Sequence, residues 1–195
     1  MILASLRATA LLLVLCCVAY PALVTGIAQL AFHDAANGSL LRDGETVIGS
    51  ELVGQAFTSP GYLQGRPSAA GAGYDAAASS GSNFGPTSRK LADRRAADEA
   101  RLVAENPDAP GPVPEVLLAA SGSGLDPHLP PDAARWQLPR IAKARGVELA
   151  RVTSLLDEQA RGRDLGVLGE PTVNVLAFNL ALDRRFPAGA VAGPR

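Results

Sequence analysis

What the chain has little of narrows its chemistry first. Cysteine occurs only at Cys16 and Cys17, side by side in one apolar run. The residues beyond that run therefore carry no disulfide, and a cysteine-ligated zinc site is excluded there. Histidine occurs only at His33 and His128. A single imidazole beside Asp126 is a poor basis for a transition-metal site, which recruits several His or Cys ligands. A charge excess is missing too: the net charge is −1 at pH 7. No basic field draws the chain to nucleic acid, and no polyacidic tail is present. Lysine is confined to Lys90 and Lys143, so arginine supplies nearly all the positive charge. The phosphate-cradling G-x-x-x-x-G-K-[ST] and the nucleophile elbow G-x-S-x-G are both absent.

What is there begins with ATALLLVLCCVAYPALVTGIAQLAF, Ala8 to Phe32, free of Asp, Glu, Lys and Arg. As a helix rising about 1.5 Å per residue it reaches roughly 37 Å. A bilayer's hydrocarbon core is about 30 Å thick. A helix is the single-segment solution there, because lipid offers backbone N–H and C=O groups no partners. The alternatives are a cleaved signal peptide, whose apolar region runs only about 7–15 residues, and a lipoprotein signal. Leu15 precedes Cys16 where a lipoprotein signal wants a small residue. Length favours a retained anchor. Pro21 removes one backbone donor and predicts a kink. Arg7 and the amino terminus precede the run, whereas His33, Asp34, Arg42, Asp43 and Glu45 follow it without cationic excess. The positive-inside rule then places residues 1–7 in the cytoplasm and everything after Phe32 outside.

Residues 33–187 are enough for one compact domain with its own core. With 15 Pro and 20 Gly in the chain, turns and ordered loops should be frequent. Thr46-Val47-Ile48 reads as a short strand, and Leu52, Val53 and Phe57 fit one face of a helical turn. Residues 69–86, AAGAGYDAAASSGSNFGP, have the composition of a linker, but Tyr74, Asn83 and Phe84 argue for an ordered loop with a purpose. Thr87 to Asn106 predicts a helix capped by Ser88 and ended by Asn106-Pro107. Asp132 to Arg145 predicts another, kinked or divided at Pro139. Val147 to Arg161 is amphipathic, with Leu149, Val152, Leu155 and Leu156 on one side. Pro171 suits position N1 of a last helix, with Val173, Leu176, Leu180 and Ala181 facing the core. Residues 188–195 read as a frayed tail. The expected fold is α+β: one N-terminal transmembrane helix (8–32) followed by a single extracytoplasmic mixed domain (33–187).

Three groups of residues invite a chemical reading. Ser121, Ser123, Asp126 and His128 contain the parts of a hydrolase, but a triad demands spatial geometry rather than proximity in sequence. The plainer reading has Asp126-Pro127 closing a turn while Ser123 caps local backbone. SSGSNFG, residues 79–85, offers backbone N–H groups to an anion, or packs as a close-contact loop. No other visible group supplies a catalytic engine. Loops of Gly, Ser and Asn let backbones approach closely, and an exposed Tyr or Trp anchors interfaces. These features favour a partner-binding subunit. A membrane-anchored periplasmic hydrolase using Ser123 and His128, or a small-ligand-binding protein freed by signal cleavage, are the alternatives.

GSELVGQAF, YLQGRPSA, ASSGSNFGP, LAASGSGLDPHL, WQLPRIAKARG and LGEPTVNVLAFNLALD, in that order, resemble one family over nearly the whole chain. The chain looks like the C subunit of the Kdp-type potassium-transporting ATPase of bacteria, the KdpC family. It departs from the usual pattern at Ala119, Ser80, Pro130 and Ser88-Arg89. The resemblance implies an accessory subunit of a high-affinity potassium importer in the inner membrane. Its partners would be a channel-like potassium-binding subunit, an ATP-hydrolysing subunit and the bilayer. The D-K-T-G-T phosphorylation signature is absent, so this chain is not itself the ATPase. In family terms the C subunit is a catalytic chaperone that raises the pump's affinity for ATP, with a glutamine in nucleotide contact. Gln137 of WQLPR matches that position. No cofactor is expected to bind stably; the resemblance leaves room for ATP through the pump subunit. The charge rule puts Gln137 on the side away from cytoplasmic ATP, which favours an allosteric route. Candidate partner-contact residues are Arg66, Ser68, Ser82, Asn83, Ser123, Asp126, His128 and Trp136.

Overall fold

The computed structural model describes residues 1–187 of the chain, and the expected tail at 188–195 lies outside the described residues. It divides into two units, Met1–Ile48 and Gly49–Arg195.

The first unit is dominated by a 30-residue helix, Ile2–Ala31, apolar enough to cross a membrane (mean hydropathy 2.4) and with none of that stretch buried. It begins at Ile2 rather than Ala8. Helix α1 (Ile2–Leu13) passes into a π-helical segment, Val14–Ala19, and then into α2 (Tyr20–Ala31). Pro21 explains the switch. It has no N–H and its ring crowds the carbonyl of the preceding turn, so the register widens just upstream. Tyr20 accordingly donates to the Leu15 carbonyl, five residues back. A short α3 (His33–Ala36) follows, and Asn37 donates through its amide to the His33 carbonyl at 2.7 Å. Strands β1 (Leu40–Asp43) and β2 (Thr46–Ser50) form a two-stranded sheet. The sequence pattern anticipates β2 only.

In the second unit, residues 51–57 make turns and extended chain, not the expected helical turn. Helix α4 (Arg89–Glu105) starts after Ser88, whose hydroxyl makes no capping bond, and buries only Leu102. One 3₁₀ turn, Glu115–Leu117, follows. Strand β3 (His128–Leu129) leads to α5 (Pro131–Arg145), which takes Pro130 as N-cap and Pro131 at its start. Proline's fixed φ and missing donor suit that start. Pro139 neither divides nor ends α5.

Gly146 terminates α5 in the left-handed region (φ 63°), and Val147 donates back to the Ala142 carbonyl at 3.0 Å. That left-handed cap reverses the chain, so α6 (Leu149–Gln159) packs against α5. Val152, Leu155 and Leu156 are buried, whereas Leu149 is exposed.

Pro171 does not open the last helix. Thr172 pairs with Arg161, β4 (Val173–Asn174) pairs antiparallel with β3, and α7 (Val175–Arg185) starts four residues after the proline. Asn174 is the N-cap, its Oδ1 accepting from Ala177 N–H. The core joins Leu63, Leu117 and Leu129 to Leu138 and Ile141 of α5, Val152 and Leu156 of α6, and Phe178 and Leu182 of α7.

Candidate functional site

Segments 66–74, 79–80 and 119–128 meet in one hydrogen-bonded cluster. Arg66 Nη1 lies 3.0 Å from Asp126 Oδ2, and its Nε donates to the Ala119 carbonyl at 3.2 Å. The other Asp126 oxygen accepts the His128 N–H at 3.0 Å, closing the expected turn through Pro127. Ser68 Oγ donates to the Gly124 carbonyl at 2.6 Å and accepts the N–H of Tyr74 at 2.7 Å. Ser80 N–H and Ser79 Oγ both donate to the Ser123 carbonyl, at 2.9 and 3.0 Å. Gly124 sits at φ 69°, and a Cβ there would stand 2.6 Å from Ala70 N and from Ser80 O. Glycine is required where backbones come this close.

The cluster gathers Arg66, Ser68, Ser123, Asp126 and His128. Ser82 and Asn83 continue from it toward α4, with Asn83 exposed and left-handed (φ 51°). Ser123 Oγ accepts the Leu125 N–H at 3.1 Å and lies 3.5 Å from Ser121 Oγ. Among the described residues, neither serine oxygen is hydrogen-bonded to the His128 ring. The nucleophile–base contact of covalent hydrolysis is therefore not formed. No group of three or more His, Cys, Asp and Glu side chains is placed to hold a metal among the described residues.

Tyr74 closes the cluster by donating to the Arg66 carbonyl. Burial, and then the negative charge of Asp126, push its phenol up to about 12, with Arg66 opposing. The folded protein thus keeps a proton that an unfolded tyrosine loses near pH 10.0. Stability from this neutral phenol is complete below that pH and is lost as pH rises through about 12. An alkaline titration followed by phenolate absorbance should show Tyr74 ionising together with unfolding, and Tyr74→Phe should remove that component. Ionisation of Tyr74 at its ordinary pH would refute the burial argument.

Gln137 belongs to a separate, buried network. It is fully buried. Its Nε2 donates to the Gln64 carbonyl at 3.0 Å, and its Oε1 accepts from Gln64 N–H at 3.0 Å and from Arg140 at 2.8 Å. Arg140 also donates to Asn106 Oδ1 at 2.9 Å and to the Pro60 and Tyr62 carbonyls. Burial lowers the Arg140 guanidinium below its ordinary value. Asn179 completes the seam, its amide donating to the Leu63 carbonyl at 2.9 Å and its Oδ1 accepting Leu63 N–H at 2.8 Å. Together these side chains hold the backbone of residues 60–64 like a missing strand. Trp136 is not an exposed anchor: it is 4% exposed, packed in the core, and its indole donates to the Gly111 carbonyl at 3.4 Å. Sequence reading missed Gln64, Asn106, Arg140 and Asn179. The one visible signal was a polar Asn179 within the apolar face of α7.

The architecture is that of a lobe of mixed helix and short strand carried behind one helix of membrane-spanning length and composition. Residues 2–184 match the family described as KdpC: K+-transporting ATPase, c chain. The protein "Potassium-transporting ATPase KdpC subunit" of Myxococcus xanthus is 60% identical over 185 residues, 94% of this chain and 88% of that one. Proteins of the same name from Rhodospirillum rubrum and Caulobacter sp. (strain K31) are 56% and 54% identical, over 87% and 90% of this chain and 88% and 89% of theirs. The chain belongs to the KdpC family.

Proposed function

We propose that this chain is the accessory, non-hydrolysing subunit of an ATP-driven potassium import complex. The observation that carries the reading is the family match along residues 2–184. In this reading Ile2–Ala31 anchors the chain in the inner membrane, the amino terminus is cytoplasmic, and the lobe lies outside against the channel-like subunit. The lobe stabilises the assembly and raises the pump subunit's affinity for ATP by favouring one of its states. Gln137 supports this allosteric route, since its hydrogen bonds are made within the lobe. Residues 66–68 and 121–128 supply a preorganised contact surface. Because their polar groups are already paired, docking there costs little ordering.

Potassium-limited growth of a bacterium lacking its own C subunit tests the role. The full chain should restore growth and co-purify in detergent with the channel-like and ATP-hydrolysing chains. The pump's KM for ATP should rise about fivefold or more when this subunit is omitted, a coupling of ordinary allosteric size. Co-purification without any change in KM would leave assembly alone as the function. Failure of both growth and co-purification would reject the reading. An alkaline phosphatase fused after Pro187 should be active, as it is only outside the cytoplasm.

A further inference from the structure

Between α6 and β4 the chain projects a finger, residues 161–172, RGRDLGVLGEPT. Every residue from 161 to 171 is exposed, yet the segment is built. At its base Arg161 and Thr172 exchange backbone hydrogen bonds of 2.8 and 3.0 Å. Nearer the tip Asp164 and Leu168 do the same at 2.8 and 2.9 Å. The Arg163–Glu170 ion pair, 2.6 Å, clasps the two sides.

The tip carries three aliphatic side chains in solvent: Leu165 is 90% exposed, Val167 73% and Leu168 58%. Leu165 also has φ 52°. A leucine in the left-handed region is strained, and glycine would take this conformation without the steric penalty. Both the strain and the exposure are unrewarded within the chain. Strain of this kind persists where the site has a use.

The charges of the finger decide what the tip meets. Arg163 is paired with Glu170, and Arg161 lies 3.8 Å from Glu51. Asp164 has no ion pair among the described residues, so the exposed charge beside the tip is negative. Segments that bind membrane surfaces carry free Lys or Arg and interfacial aromatics. This finger has neither a free cation nor an aromatic ring. Two copies meeting finger to finger about a two-fold axis would set Asp164 against Asp164.

We propose that residues 161–172 are a docking finger. Leu165, Val167 and Leu168 insert into an apolar pocket on another protein chain of the potassium-transporting ATPase, and a cation or N–H donor on the pocket rim faces Asp164. The proposal rests on the reading of this chain as a subunit of that complex. The finger arrives already folded, so the association does not have to order it. The tip is aliphatic and stiff, matched to a preformed hollow.

The test uses the full chain, tagged and co-expressed with the other chains. Leu165→Gly relieves the backbone while removing the side chain, so its thermal transition should equal or exceed the parent's. Combined with Val167→Ser and Leu168→Ser, it should lower recovery of the complex at least tenfold with the lobe still folded. Val167→p-benzoylphenylalanine should crosslink on irradiation to another chain of the complex. Retention of the complex by the triple variant overturns the finger, as does a crosslink confined to lipid or to a second copy. If the unsubstituted chain fails to co-purify, the subunit reading itself fails. That outcome is distinct from loss in the triple variant alone.

Discussion

Replacing Gln137 with alanine should cost the folded chain about 3–4 kcal/mol. The change strands the Gln64 N–H and C=O in the interior, frees one Arg140 N–H, and leaves a cavity. Each stranded buried group costs about 1–3 kcal/mol, and partial relaxation keeps the total below their sum. Urea unfolding of the detergent-solubilised chain measures it, with Trp136 one residue away as the only tryptophan. Gln137→Glu should also destabilise: one carboxylate oxygen still accepts from Gln64 N–H and Arg140, but the other faces the Gln64 carbonyl, acceptor against acceptor. A nucleotide-contact role predicts the reverse pattern: an ATP KM defect in a lobe of unchanged stability. Parent-like unfolding of Gln137→Ala would refute the buried-latch account.

Arg145→Met should cost about 3 kcal/mol, or roughly 6–12 °C in melting temperature for a chain of this size. Its side chain is 1% exposed. Nε donates to the Gly61 carbonyl at 2.6 Å, Nη1 to the Phe186 carbonyl at 2.8 Å and Nη2 to Asp183 at 2.9 Å. The guanidinium also lies 4.8 Å from the centre of the Tyr62 ring. Methionine fills the volume but abandons both carbonyls. Asp183 is itself 43% exposed and keeps the Tyr62 hydroxyl, 3.0 Å away, so the orphaned carboxylate adds little. Arg145→Lys should recover only part of the loss, since an ammonium cannot span three acceptors in a plane. Asp183→Asn should fall well short of Arg145→Met. Equal effects from both would show that the ion pair dominates and would reject this apportionment.

The elements that were legible are those whose causes are local. The apolar run, α4 and α6 declare themselves through composition, spacing and the residues that stop them. The proline rules held in part: Pro131 opens α5, whereas Pro171 opens nothing. Thr172 is held by Arg161, and Val173 by Leu129, partners that no local window contains. Asn174, a residue type that suits a cap, starts α7 in the proline's place. Pro139 failed to break α5 because that helix is fastened along its length by Trp136, Gln137, Leu138, Arg140 and Ile141, all buried. At the candidate site, the turn at Asp126-Pro127 and the local role of Ser123 were readable from residue type. The Arg66–Asp126 pair was not, because it joins positions 60 residues apart. The burial of Trp136 and Gln137 was not legible for a related reason: a motif says which residues matter without saying which way they face.

Asn174 has a consequence for synthesis. It pairs with His128, caps α7 through Oδ1 and donates through Nδ2 to the Glu51 carbonyl at 2.8 Å, across 123 residues. Leu63 is likewise held by Asn179 across 116 residues. The Glu51 carbonyl and the Leu63 backbone therefore wait for the last part of the lobe to be translated. A ribosome emits about 5–20 residues per second, so these early groups meet their last partners only several seconds after they are made.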